Sequence, residues 1–515
     1  MPHWMKMDFH ARQPVCEGRG AMMGDYLAHV RRDGSAEQTI PEHLRRVGDL
    51  MAEFAAGIGL SATAHLIGLL HDLGKCTQEF ADYLAYCRQN PDDHSRRGTV
   101  DHASAGGQLL RRRYGVGTEE ERLTADMAAL VIFSHHSGLM NYVDKKGCAD
   151  FLRRVEKDDL LERVDLAYYY REVIGEEALD RLFAEAVGEF SALDARIESC
   201  ASEETENYHF AWGMVHKLLF SMLVDADRLD SAEFELDVLL TQEWHTEMLW
   251  GKFSVNLEKK LKSFPMPQKE TAKKIAGLRQ KISDDCLGAA QNAPGIYKLS
   301  VPTGGGKTLA GMRFALRHAQ LYGKKRIIFV IPYTSIIEQN AKEIRDIFGC
   351  DEAILEHHSN VLPEDIAGED SESMDWRHLL TERWDVPVIF TTQVQFLNAL
   401  FAGDGSSMRR LHALEDSILI FDEIQTLPVR CTHLFNAAMN FLQEFCRVTA
   451  VLCTATQPPL ERMECPLALG GKAELTTEQT DNIPTGGVSR GLCKLFFSMA
   501  FAQNIIHFPL GTDGA

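Results

Sequence analysis

The stretch YKLSVPTGGGKTLAG (residues 297–311) is an apolar run, then a glycine-rich turn, then the start of a helix-forming segment, LAGMRFALRHA. Strand, loop and helix in that order make a phosphate-binding loop. Gly304, Gly305 and Gly306 let backbone N–H groups approach phosphates, Lys307 brings a positive charge to the β- and γ-phosphates, and the Thr308 hydroxyl is a ligand for Mg²⁺. Thr303 belongs to the same loop, and Val301 stands where the strict motif has its first glycine.

Working outward, the apolar runs RIIFVI, VPVIFTT, SILIFD and TAVLCTAT are short, continuous and separated by helical segments. That pattern predicts a parallel sheet buried on both faces, an α/β domain of nucleotide-binding type. Asp422 and Glu423 close the run SILIFDEIQ, where one carboxylate is placed to hold Mg²⁺ and the next to activate a water. Thr454-Ala455-Thr456 follows another strand-like run. Together these resemble a superfamily 2 helicase. GGGKT is similar to motif I, Asp422-Glu423-Ile424-Gln425 to the DExx box and Thr454-Ala455-Thr456 to motif III. IPYTSIIEQN and TTQVQFLNALF sit where that family has its strand-tracking motifs Ia and Ib.

Upstream the texture differs. From about residue 40 to 240, apolar positions recur at helical spacing, as in ATAHLIGLLHDLGK and WGMVHKLLFSMLVDADRL. His71 and Asp72 are adjacent near the end of one such helix. Neighbours on a helix differ by about 100° in direction, so both reach one centre only at a helix end or distortion. His43, His102, the tandem His135-His136 and Asp227 are further imidazole and carboxylate candidates, a donor set suited to divalent first-row metals. A carboxylate between groups of histidines suits a two-metal phosphodiesterase.

The order H…HD…H…HH…D resembles the nuclease branch of the HD metal-dependent phosphohydrolases. Asp227 is preferred to Asp225 because ADRLDS matches that family's pattern, and the resemblance implies that Lys75 faces the phosphate and that Asp72 is catalytic. An HD domain followed by a helicase motor resembles the nuclease-helicase of type I CRISPR systems, nearest the I-C subtype. The resemblance implies metal-dependent cutting of single-stranded DNA, with Mn, Ni, Co or Fe at the HD centre and ATP with Mg at the motor. It also implies a surveillance (Cascade-like) complex as partner. The rivals are an HD phosphohydrolase acting on nucleotides or cyclic dinucleotides, and a non-catalytic docking protein.

The expected organisation is an N-terminal extension (1–22), an all-α HD domain (23–242), a linker (243–270) around Pro265 and Pro267, a RecA-like first helicase lobe (271–466) and an irregular tail (467–515). Family motors use two lobes. Motif III here lies about 60 residues from the end, so the expectation is a truncated, frameshifted or split chain, a second lobe in trans being one alternative, and unassisted unwinding is not expected. The net charge of −20 excludes a surface coated for nucleic acid but not a local basic track. The 12 cysteines form no C-x-x-C pair, which argues against a zinc ribbon or disulfide framework. No run approaches the length of a membrane span and the N-terminus lacks a signal-peptide core, so a cytoplasmic protein without membrane contacts is expected.

Overall fold

The computed structural model describes residues 26–476, except 32, 91–92, 94, 97, 143–148, 158–159, 202–204, 303, 359–382 and 456. The N-terminal extension, Thr303, Thr456 and most of the tail therefore lie outside the described residues.

The first domain opens with an antiparallel hairpin, β1 (Leu27–Val30) and β2 (Glu37–Thr39). This short pair precedes a domain that is otherwise helical, as expected, and it matters below. Helix α1 (Ile40–Phe54) starts where Thr39 and Glu42 cap one another reciprocally. Then come α2 (Ser61–Leu70), α3 (Gln78–Gln89), α4 (Ala105–Tyr114), α5 (Glu119–Ser134) and the short helices α6 (Asp150–Glu156), α7 (Leu160–Arg163) and α8 (Leu166–Glu172). Two long helices, α9 (Glu176–Ala201) and α10 (Thr205–Leu236), complete the bundle.

The second domain is built on a seven-stranded parallel sheet. Its strands are β3 (Ile296–Ser300), β4 (Arg326–Ile331), β5 (Ile354–His357), β6 (Val388–Thr392), β7 (Ser417–Phe421), β8 (Thr449–Thr454) and β9 (Leu469–Glu474), in the order β5-β6-β4-β7-β8-β3-β9. The central strands β6, β7 and β8 are buried at every position, as continuous apolar runs require when helices cover both faces. This is the RecA-like lobe that the glycine-rich loop predicted.

Two boundaries differ from the sequence reading. The segment read as a linker contains α11 (Thr246–Ser263), whose Trp250, Phe253 and Leu257 enter the core of the second domain. Phe253 stacks on Phe348 with ring centroids 4.1 Å apart. The lysines on its outer face masked this buried stripe. The segment read as irregular begins with β9, which pairs with β3. Its Gly-Gly-Lys centre gives an edge strand no alternation to detect.

The domains share one continuous apolar cluster, in which α10 residues such as Leu218 and Val224 join Leu411, Leu414 and Phe435 of the second domain. Polar contacts reinforce it: Lys217 Nζ donates to the Ala402 carbonyl at 3.0 Å, and Arg383 and Arg409 close on the buried Asp225.

Candidate metal centre and nucleotide site

Helix α2 stops at Leu70, and His71 is its C-cap. The chain then leaves helical geometry at Asp72 (φ −114°, ψ 25°) before one turn of 3₁₀ helix. The break turns two adjacent side chains toward one point, as the helix-end argument required. Gly74 follows because His102 crosses here: a Cβ on Gly74 would lie 2.4 Å from the His102 carbonyl oxygen. His135 caps α5 in the same way that His71 caps α2.

The predicted ligands gather around Asp72. One carboxylate oxygen, Oδ2, lies 3.5 Å from both His43 Nε2 and His71 Nε2. The other, Oδ1, lies 3.3 Å from His135 Nε2 and 3.9 Å from His102 Nε2. Asp227 Oδ1 completes the first side, 3.6 Å from His43 and 3.7 Å from His71. His136 Nε2 completes the second, 2.8 Å from His102 Nε2. The donor atoms therefore form two groups with Asp72 in both: His43, His71, Asp72 and Asp227; and Asp72, His102 and His136.

The residues fit a cation. His43 Nε2, His71 Nε2, His135 Nε2 and Asp72 Oδ1 are buried and have no hydrogen-bond partner among the described residues. Four such atoms facing one another cost free energy unless a cation satisfies them. The opposite ring nitrogens are already committed: His71 Nδ1 donates to Gly68 O (2.8 Å), His135 Nδ1 to Ile132 O (2.6 Å) and His102 Nδ1 to Val100 O (3.1 Å). Fixing Nδ1 leaves Nε2 as the ligand atom.

Burial alone would raise the Asp72 carboxyl, but Lys75 and His71 beside it hold it well below the usual carboxylate range. Asp227 is likewise lowered: His71 outweighs the cost of burial. Burial and the neighbouring His135 push His136 down to about 3, which keeps its ring in the neutral form that metals bind. His43 and His135 move up: burial opposes this, but the carboxylates they face prevail.

Lys75 departs from its expected place. It is 4% exposed, and its Nζ lies 2.8 Å from Asp72 Oδ2, 3.4 Å from the Ala28 carbonyl and 3.3 Å from His29 Nε2. Beneath the hairpin it faces the carboxylate rather than an open phosphate position. Asp225 points away from the cluster, toward the second domain. Three residues near the centre escaped the sequence reading: His29 and Gln38 on the hairpin, and Asp230, one helical turn beyond Asp227. The i, i+3 spacing of two acids in an otherwise apolar helix was the available signal for Asp230.

In the second domain, Gly304 and Gly306 have φ of +82° and +85°, and Gly306 is the N-cap of α12 (Lys307–Tyr322). Only glycine adopts this loop freely. The Gly304 carbonyl accepts from Arg279 Nε at 2.9 Å, a support not evident in the sequence. Lys307 Nζ lies against Glu423 and 3.6 Å from Asp422 Oδ1. A pocket beside it is lined by Lys307, Thr308, Asn340 and Asp422, among others. Burial raises the Asp422 carboxyl, with Lys307 opposing. Glu423 has φ +50°, a strained conformation for a side-chain-bearing residue and of a kind concentrated at functional sites. Gln425 links the Asp422-Glu423 motif to Thr454: its amide donates to Glu423 Oε2 at 2.5 Å, and its carbonyl accepts from Thr454 Oγ1.

Comparison with known proteins agrees with this division. Residues 41–172 match the HD domain family and residues 267–463 match the DEAD/DEAH box helicase family. The CRISPR-associated nuclease/helicase Cas3 of Haloferax volcanii is 31% identical over 195 residues, covering 34% of this chain and 21% of that protein. Crystal structures of T. fusca Cas3 with ADP and with AMPPNP are each 15% identical. They cover 84% of this chain and 51% and 50% of theirs, with TM-scores of 0.49 and 0.48. The chain thus spans about half the length of those solved chains and about a fifth of the Haloferax protein is matched. No helix among the described residues is long and apolar enough to cross a membrane. With both families matched in tandem, this chain is an HD domain fused to a DEAD/DEAH box helicase domain.

Proposed function

We propose that the HD domain cuts single-stranded DNA with a divalent transition metal (Mn, Ni, Co or Fe), and that the helicase lobe binds ATP with Mg, in CRISPR antiviral interference. The observation that carries this is the set of four unsatisfied donor atoms around Asp72, with a second group formed by His102 and His136. His43, His71, Asp72 and Asp227 would hold one cation, and Asp72, His102 and His136 another. Such a cation neutralises charge on a phosphodiester and makes water more acidic. Asp72 spans the two groups. Lys75 keeps Asp72 ionised and oriented, so it acts through that carboxylate. In the helicase lobe, Gly304–Gly306 and Lys307 would receive the triphosphate, Thr308 and Asp422 would hold Mg, and Glu423 would orient a water.

The partner proposed is a CRISPR surveillance complex, supported by the CRISPR association of the Haloferax relative.

Single-stranded DNA cleavage with Mn²⁺ or Ni²⁺, without ATP, tests the nuclease. Metal-dependent cutting lost in Asp72→Ala is expected. Absence of cutting with each of the transition metals, or preferential turnover of free nucleotides, would overturn it.

A further inference from the structure

His43 differs from the other predicted ligands in how its second nitrogen is held. His71, His102 and His135 give Nδ1 to backbone carbonyls, whereas His43 Nδ1 donates to the Asp230 carboxylate at 2.6 Å. The same oxygen, Asp230 Oδ2, accepts from Gln38 Nε2 at 2.9 Å. His43, Asp230 and Gln38 are 0%, 5% and 8% exposed. Gln38 belongs to the hairpin, and both hairpin and α10 lie outside residues 41–172, the part that matches the HD family.

We infer that Asp230, oriented by Gln38, is a positioning carboxylate that fixes His43 with Nδ1 protonated and Nε2 facing the metal, so the N-terminal hairpin belongs to the metal centre. This rests on the metal-centre reading above. A carboxylate behind a ligating imidazole sets its tautomer and raises its donor strength. A backbone carbonyl sets the tautomer with less charge. His43 therefore depends on a side chain that substitution can remove, while His71, His102 and His135 rest on backbone carbonyls. Gln38 gives the shared oxygen a second hydrogen bond that holds it in place.

Co²⁺ binding to the full chain tests this through affinity and visible absorption, neither of which needs DNA or turnover. Asp230→Asn should weaken the tighter Co²⁺ equilibrium by about 10- to 100-fold and change its absorption band. Asp230→Glu should recover part of the affinity, and Gln38→Leu should shift it in the same direction by less. Wild-type affinity and spectrum in a folded Asp230→Asn protein would overturn the inference while leaving the metal centre intact. If that variant does not fold, unchanged Co²⁺ binding by Gln38→Leu overturns it instead. A wild-type chain that takes up no Co²⁺ would overturn the metal-centre reading itself, and the role of Asp230 with it.

Discussion

Asp225 and Asp227 are two residues apart on one helix, and they serve different domains. Asp227 faces His43 and His71, while the Asp225 carboxylate is fully buried between Arg383 and Arg409 of the helicase lobe, 2.9 Å and 2.5 Å from their Nε atoms. Burial alone would raise Asp225, but the two guanidiniums hold it far below the usual carboxylate range. The wall of the metal centre is thus clamped to the motor.

Asp225→Ala should therefore cost stability as well as alignment. Removing one member of a buried charged cluster leaves the others uncompensated, a loss of about 3–5 kcal/mol. Urea unfolding measures it, and a loss below about 1 kcal/mol would show that the arginines are solvated on substitution.

Metal binding should stabilise the first domain. At a free concentration 100 times the dissociation constant, the gain is about 2.7 kcal/mol. Thermal scans with and without Mn²⁺ should show an upward shift that EDTA reverses. Asp72→Ala should abolish the shift, because Asp72 contributes to both donor groups. An unchanged shift in that variant would remove Asp72 from the centre.

Lys307→Ala should reduce ATP binding at least tenfold while leaving Co²⁺ binding at the HD centre unaltered. A fluorescent nucleotide analogue and the Co²⁺ titration report the two sites separately. Equal nucleotide affinity in wild type and variant would argue that the loop is not the phosphate site.

Acid should destabilise the helicase lobe through His318. This ring is fully buried, bonded to the Ala290 carbonyl and to Thr449 Oγ1, and burial pushes its pKa down to about 4. The unfolded chain binds the proton near pH 6.5 and the folded chain only near 4. Stability from this residue is present above pH 6.5 and falls as pH drops toward 4, by on the order of 3 kcal/mol. Chemical denaturation at a series of pH values should show this slope, and His318→Asn should reduce it, leaving the part due to His357, which burial pushes down to about 3. An identical slope in both proteins would assign the acid sensitivity elsewhere.

Much of this architecture was legible because its signals are local. The five apolar runs beside Lys307, Asp422 and Thr454 are strands, and a broken helix at His71 was required by the adjacency of two ligand types. What escaped was decided by distant partners. Helix α11 hides its buried stripe behind lysines, and β9 is defined by pairing with β3 rather than by its own pattern. Lys75 is drawn to Asp72 by a hairpin that meets it in space and not in sequence. Gln38 carries no motif, and its importance appears only when α10 brings Asp230 beside it.

The shared apolar cluster has a consequence for anyone who would dissect this molecule. The connection between the domains, residues 237–245, is exposed along most of its length, although Trp244 anchors it by donating to the Asp385 carbonyl at 3.1 Å. A protease can reach this stretch of chain. Its cut would sever the polypeptide without freeing either half, because the surfaces that hold the halves together are the interior of both. The fragments should travel as one particle through gel filtration and part only in denaturant, so the boundary written in the gene is not a seam in the protein.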